Sequence, residues 1–258
     1  MRNYHTHTTR CQHATGTDRE YVEHAVAEGF KTLGFADHSP WPYADFVSGI
    51  RMTAQEFPGY LRSIVSLRDE YKDRIDLKIG LECEYFKPFF PWLDELKGKN
   101  GLDYLLLGCH FIGDEEHGLY SGKATHREDL YRYLEEVEDA MQDGRFLYLC
   151  HPDLVLSCYP EFDDACADLA HQICQLSKSY HFPLEYNVLG LEKRSKHTFN
   201  GLGYPCKQFW DIVGEEGCDV VIGLDAHRPD ALDGTTFRRV ESDLRQQGFR
   251  LVDPLEHD

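Results

Sequence analysis

Residues 1–14 read MRNYHTHTTRCQHA and place three histidines, His5, His7 and His13, before the first helix signal. Tyr4 lies in a first short strand that ends in His5-Thr6-His7. Alternate residues of a strand share a face, so the two imidazoles point the same way and can reach one metal ion. A lone His-x-His pair carries little weight. What ends the other strands decides how much it means.

Six more apolar runs read as strands: KTLGFADH (Lys31 to Ala36), IDLKIGLECEY (Ile75 to Glu84), LDYLLLGCHF (Leu102 to Cys109), RFLYLCH, FPLEYN and CDVVIGLDAH. They stop at Asp37-His38, at Glu82, at His110, at His151, at Glu185 and Asn187, and at Asp225-Ala226-His227. Helix signals lie between them. Thr17/Glu20, Thr53/Glu56 and Thr125/Glu128 have capping-box spacing. After Thr125, Leu130, Leu134, Val137 and Met141 fall on one helical face. Pro205 suits the first turn of a helix over CKQFWDIVGEEG, and Phe237, Val240 and Leu244 recur at helical spacing near the end. Strand and helix alternate about seven times without a linker or repeat, so one domain over residues 1–258 is expected. A closed, barrel-like parallel sheet with outer helices is the simplest α/β solution, and there all strand ends meet at one mouth. An open doubly wound sheet is the alternative. Neither GxGxxG nor GxxxxGK[ST] occurs.

The chain has 258 residues and a formal charge of −18. The acidic balance opposes stable nucleic-acid binding but not a small phosphorylated substrate held by local cations. No signal peptide and no run of eighteen apolar residues is evident, which leads to the expectation of a cytoplasmic protein with no membrane partner. Nine cysteines without a CxxC pair, several inside apolar runs, read as buried thiols rather than a disulfide framework. The oligomeric state is not encoded in any pattern found.

The candidate metal ligands are His5, His7, His13, His38, His110, His151, His227, Glu82 and Asp225. One four-coordinate ion would not use them all, whereas two or three clustered ions would. A carboxylate such as Glu82 can bridge two ions. Mixed nitrogen and oxygen donors suit zinc, manganese or iron. His24, His126, His171 and His181 read as surface or helix-lining, His197 and His257 as loop and tail. Basic loops follow two strands: GLEKRSKHTFN with Lys193, Arg194 and Lys196, and YSGKATHR with Lys123 and Arg127. Arg194, Lys123, His117 and Asn187 are the substrate-binding candidates; a solubilising loop is the plain alternative. Asp37 and Asp153 are candidates for orienting His38 and His151. The aromatic loop WPYADFVSGI (41–50) either covers the mouth or simply packs.

HTH (5–7), CQHA (11–14), ADHS (36–39), GLECEY (80–85), GCHF (108–111), HPD (151–153), EYN (185–187) and GLDAH (223–227) together resemble the polymerase and histidinol phosphatase superfamily, more narrowly its histidinol-phosphatase type. The motifs run through nearly the whole chain. The resemblance implies a distorted (β/α)7 TIM-like barrel and three divalent metal ions. His5, His7, Glu82 and Asp225 would hold one ion. Glu82 would bridge to a second with His110 and His151, and His13, His38 and His227 would hold the third. It implies hydrolysis of a phosphate monoester, L-histidinol phosphate first among candidates, by a metal-bridging hydroxide. Glu82 is the bridge, Asp225 could accept a proton although a ligand is a poor free base, and either His227 or metal-bound water would supply the leaving-group proton. Three other readings stand beside this one. One is a phosphoesterase for nucleotides or short oligonucleotides. Another is an amidohydrolase-like hydrolase, which also opens with His-x-His but uses a bridging lysine with no clear candidate here. The last is a non-catalytic metal-binding module.

Overall fold

The computed structural model describes residues 1–256, apart from the side chains of residues 99 and 100. His257, read as tail, lies outside the described residues. The chain forms two compact units. One comprises Met1–Leu106 and Leu224–Val240; the other comprises Leu107–Gly223 and the residues from Glu241 on.

The first unit is built on a four-stranded sheet in the order β1 (Arg2–Asn3), β2 (Thr32–His38), β3 (Asp76–Cys83), β4 (Tyr104–Leu107). β1–β2 and β2–β3 are parallel. Helices α1 (Asp18–Glu28), α2 (Phe57–Tyr71) and α3 (Phe90–Asn100) fill the connections. Every residue of β2 is buried, which explains its continuous apolar and small composition. The Thr17/Glu20 capping box forms and starts α1 as expected. The Thr53/Glu56 pair also forms, with Thr53 N–H and hydroxyl donating to Glu56, but in a turn ahead of the helix. α2 begins at Phe57, because Pro58 lacks an N–H and is tolerated in a helix's first turn.

Tyr104 locks this sheet from one side. Its hydroxyl donates to the Tyr4 carbonyl at 2.5 Å and lies 3.2 Å from the Phe35 carbonyl, and its hydroxyl end abuts Gly34 and its ring Gly80. A Cβ on Gly80 would enter that ring. Gly80→Ala is therefore expected to destabilise the protein by about 1–3 kcal/mol, the usual cost of overpacking, read as a lower midpoint in urea at unchanged slope.

The second unit contains the hairpin β5 (Phe111–Ile112) and β6 (Leu119–Tyr120), helices α4 (Arg127–Asp143) and α5 (Asp164–Tyr180), strand β7 (Leu184–Asn187), helices α6 (Val188–Ser195) and α7 (Lys207–Glu216), and strands β8 (Asp219–Gly223) and β9 (Arg250–Leu251). β7, β8 and β9 form a parallel sheet in that order. α8 (Gly234–Gln246) buries Phe237, Val240 and Leu244 as their spacing predicts.

Four expectations are corrected here. The run RFLYLCH is not a full strand: Leu149 alone bridges Leu107 on one side and Leu184 on the other, because the chain turns at His151. α4 starts one residue later than Thr125/Glu128 suggests, with His126 as cap and Asp129 closing the box. Pro205 precedes α7 rather than sitting in its first turn, and Cys206 takes the cap position. GLEKRSKHTFN is not all loop, since Val188–Ser195 is helix α6 with Lys193 and Arg194 in its last turn. The β5–β6 hairpin and β9 were not anticipated, and no signal had been named for α3 or α5. All nine cysteines are free, and all but Cys158 are buried. Among the described residues no helix is long and apolar enough to cross a membrane.

Candidate metal centre

Four neighbouring segments of the first unit carry one cluster. The chain after β1 runs between two partners. Ala36 N–H donates to the Thr6 carbonyl on one side; on the other, Thr6 bridges Ala226, with His7 N–H donating to Ala226 O at 2.9 Å. Asn3 fixes the start of the latter segment through Leu224 N–H at 2.8 Å. Register pairs His38 with Glu82 across β2 and β3. Backbone pairing thus brings His5, His7, His38, Glu82, Asp225 and His227 together from four places in the sequence.

The donor atoms converge closely. Nε2 of His5 and of His7 both lie 3.3 Å from Glu82 Oε2, and His38 Nδ1 lies 3.1 Å from the same oxygen. Asp225 Oδ1 is 3.5 Å from His5 Nε2 and 3.2 Å from His7 Nε2. His5 Nε2 and His7 Nε2 are 3.1 Å apart, and His13 Nε2 and His227 Nε2 are 2.9 Å apart. The last pair is telling. His13 Nδ1 sits 2.6 Å from the Cys11 carbonyl and His227 Nδ1 2.9 Å from the Asp225 carbonyl, so each ring donates there. With Nδ1 protonated, two Nε2 lone pairs face each other, an arrangement that a cation stabilises. His5–His7–Asp225 and His7–His38–His227 each have the closeness needed to hold an ion. The donor set is nitrogen and oxygen, and it fits a divalent transition metal.

The electrostatics agree. Burial disfavours a charged His7, yet Asp225, Asp37 and Glu82 together hold its proton on well above the usual imidazole range. Burial raises Asp225, but the surrounding imidazoles His5, His7 and His227 overcome this and hold its carboxyl well below the usual range. Burial and the charge on His7 push His227 down to about 3 and lower His13. The cluster's carboxylates therefore attract positive charge among mostly buried donors, with His13 exposed and His227 partly so.

The second unit brings His110 and His151 together, ring centroids 4.9 Å apart and both buried. Cys109, His151 and Asp225 adopt left-handed backbone, at φ 45°, 30° and 49°. Such residues are uncommon and cluster at functional sites. Here each is a candidate ligand or immediately precedes one.

The supporting residues differ from expectation. Asp37 does accept the His38 N–H at 3.1 Å, but its main work is on the other histidine pair. Its Oδ2 takes the Thr8 N–H and hydroxyl, and Oδ1 lies 3.5 Å from His7 Nδ1. Asp153 does not orient His151. Its Oδ2 accepts Cys206 N–H at 2.5 Å and Trp210 Nε1–H at 3.0 Å, holding the start of α7. The carboxylate that accepts the His151 N–H is Glu185, which the strand-end pattern had flagged without a role.

The substrate candidates are less concentrated. His117 is 74% exposed, in the β5–β6 turn, with its ring 3.4 Å from Asp114. Lys123 ends a short 3-10 helix and is exposed. Asn187 is buried and caps α6 through the Gly190 N–H. Arg194 is exposed on α6, with Nη1 donating to the Leu202 carbonyl. The 41–50 loop packs, as one of its two readings has it, and also lines a cavity. Trp41 is buried against Phe86, Phe89 and Trp92, while Trp41, Tyr43, Phe46 and Arg51 line a cavity of about 300 Å³. Gln12, beside His13, ties this loop down through the Ser48 and Arg51 carbonyls.

A parallel α/β chain whose strand ends gather imidazoles and carboxylates defines a metal-centre protein of the β/α type. Comparison with known proteins narrows this. The PHP domain family model matches residues 3–188, and the chain belongs to that family. A Deinococcus radiodurans protein named "Probable histidinol-phosphatase" is 28% identical over 253 residues, covering 96% of this chain and 94% of the relative. The Bacillus subtilis histidinol-phosphatase is 30% identical over 118 residues, 43% of this chain and 44% of the relative. The crystal structure of histidinol phosphate phosphatase from Lactococcus lactis, complexed with zinc, L-histidinol and phosphate, superposes with a TM-score of 0.71 at 22% identity, covering 100% of this chain and 98% of that one. The fold class is thus α/β, the distorted TIM-like barrel.

Proposed function

We propose that the chain acts as one PHP-type metal-dependent phosphomonoesterase domain over residues 1–258, hydrolysing L-histidinol phosphate to L-histidinol and phosphate. The observation that carries the reading is the convergence of His5, His7, His38, Glu82 and Asp225 within 3.1–3.5 Å contacts, joined by the facing pair His13 and His227. The family match runs through both units, and relatives covering nearly the full chain carry the histidinol-phosphatase name.

His5, His7, Glu82 and Asp225 hold one divalent ion, and His13, His38 and His227 another. His110 and His151 contribute donors to a third. Zinc suits the nitrogen-rich set and is the ion in the Lactococcus lactis complex; manganese and iron accept the same donors. Bound there, divalent ions activate water at neutral pH and neutralise the oxygens of the phosphoryl group. The protein's own groups do the rest. Glu82, whose Oε2 lies within 3.3 Å of three candidate-ligand nitrogens, would be the carboxylate to offset the repulsion between neighbouring cations. Asp225, held ionised among His5, His7 and His227, would orient its neighbours as a ligand rather than act as a free base. His227, with its Nδ1–H fixed on the Asp225 carbonyl, would present its Nε2 lone pair as a ligand. The Cys11 and Asp225 carbonyls and the Asp37 carboxylate lock the tautomers and ring planes of the ligands. No protein nucleophile is needed.

Arg194 is proposed as the anion clamp, with Lys123, His117 and Asn187 as lesser contributors. Arg194→Ala is expected to raise KM for the phosphate ester roughly tenfold, about 1.4 kcal/mol, with metal content unchanged. Loss of metal in that variant would show that α6 supports the centre rather than the substrate.

The experiment that tests the function is phosphate release from L-histidinol phosphate by reconstituted enzyme, beside an aryl phosphate and a nucleoside monophosphate. A kcat/KM roughly a hundredfold higher for histidinol phosphate, about 2.7 kcal/mol of discrimination, is expected. Equal or faster turnover of the other two would keep the phosphatase chemistry and reject the substrate. A metal-loaded protein inactive on all three would reject the enzyme.

A further inference from the structure

The reaction described above leaves the buried acid Glu185 unused. Glu185, on β7, is fully buried, and its Oε2 accepts two hydrogen bonds. One comes from the backbone N–H of His151 and one from Nδ2 of Asn187, each at 3.1 Å. The His151 peptide needs such a partner. At φ 30° a side-chain-bearing residue lies outside its preferred basins and stays there only where its surroundings over-determine it. A carboxylate accepting a buried peptide N–H makes one of the stronger hydrogen bonds available. The second bond extends the link. Asn187, held by Glu185 through its amide nitrogen, uses Oδ1 to accept the Gly190 N–H at 2.8 Å and so caps α6. That helix carries Lys193 and Arg194 in its last turn. One carboxylate thus fixes both the turn that aims the His151 ring and the start of the helix that presents Arg194.

We infer that Glu185 is a positioning residue, whose carboxylate sets the His151 peptide for metal ligation and, through Asn187, the cap of α6. The inference rests on the ligand role of His151 proposed above. It concerns a hydrogen-bond acceptor, so it separates a carboxylate at the right reach from a residue that merely fills space.

The test is a zinc titration against a chromophoric chelator, on full-length protein stripped of metal, for the parent and the variants Glu185→Ala, Glu185→Asp, Glu185→Gln and His151→Ala. The zinc equivalents weakened by His151→Ala are expected to be weakened roughly 10–100-fold by Glu185→Ala, the usual effect of losing a residue behind a ligand. Glu185→Asp, one methylene short, should weaken the same equivalents. Glu185→Gln, whose amide oxygen still accepts the peptide N–H, should stay near the parent. Unchanged zinc affinity in Glu185→Ala, or equal losses in the Gln and Ala variants, would overturn the inference. If Glu185→Ala shows no cooperative melt, Glu185→Asp decides, and parent-like affinity there overturns it. A His151→Ala variant with full zinc affinity would remove the ligand role of His151 and this inference with it. A parent that binds zinc yet releases no phosphate from L-histidinol phosphate would instead reject the functional reading, leaving the Glu185 comparison valid.

Discussion

Glu82→Ala is expected to lower kcat/KM for L-histidinol phosphate by about a thousandfold or more and to leave the protein with fewer bound metal equivalents than the parent. Its Oε2 lies within 3.3 Å of ring nitrogens from three candidate ligands, His5, His7 and His38. Alanine removes that shared acceptor and leaves His7 with less negative charge to balance an ion. A thousandfold loss corresponds to about 4 kcal/mol of transition-state stabilisation, in the range that metal assistance supplies. Metal analysis and steady-state kinetics on the same preparation check it. Full metal content with normal turnover would remove Glu82 from the centre. Normal metal content with lost turnover would move it from ligand to catalytic group.

Stripping the metal with a chelator is expected to lower the melting temperature by on the order of 10 °C. An ion present at a thousand times its Kd stabilises the native state by about 4 kcal/mol, and a chain of this size shifts by a few degrees per kcal/mol. The difference should depend on pH with a definite sign. In the stripped protein the folded-state affinity of His7 for its proton is raised by Asp225, Asp37 and Glu82. That contribution to stability is complete below the ordinary imidazole range and is lost as pH rises through the raised folded value. Asp225 behaves oppositely: held below the carboxylate range, it stabilises above that range and ceases to do so as pH falls through its lowered folded value. Metal must displace the His7 proton, so its affinity grows with pH. The gap between loaded and stripped melting temperatures should therefore widen from pH 6 to pH 8.5. Calorimetric zinc titrations in two buffers of different ionisation enthalpy should also show proton release near neutral pH. A gap that narrows with pH would mean that protonated His7 is not what the metal replaces.

The legible part of this protein was the set of strand ends. Apolar runs long enough to be buried, each stopped by a histidine or an acid, identified β2, β3, β7 and β8 and named the ligand candidates, because a buried imidazole or carboxylate needs a partner. α1 was equally legible at its start, since Thr17 and Glu20 are local signals acting within the helix's first turn. Other elements were hidden for physical reasons. RFLYLCH has the composition of a strand, but its pairing stops at Leu149 because the backbone turns at His151. α6 was masked by its charged residues, and its start depends on Asn187, whose preference for caps and turns is the same in sequence.

The sequence by itself determined the alternation of parallel strands and helices, the donor atoms available at the strand ends, and the acidic charge. These depend on residue type and spacing along a few turns or one strand, over which periodicity is a direct consequence of backbone geometry. Tertiary structure alone decided which donors meet and what supports them. That Asp37 serves His7 as well as its neighbour His38, that Asp153 serves α7, and that Glu185 serves His151 follows from strand register and side-chain reach. A carboxylate's partner is fixed by a few ångströms of space, and Thr8 and Asp37, Trp210 and Asp153, and His151 and Glu185, 29, 57 and 34 positions apart in sequence, become neighbours only when the chain is folded.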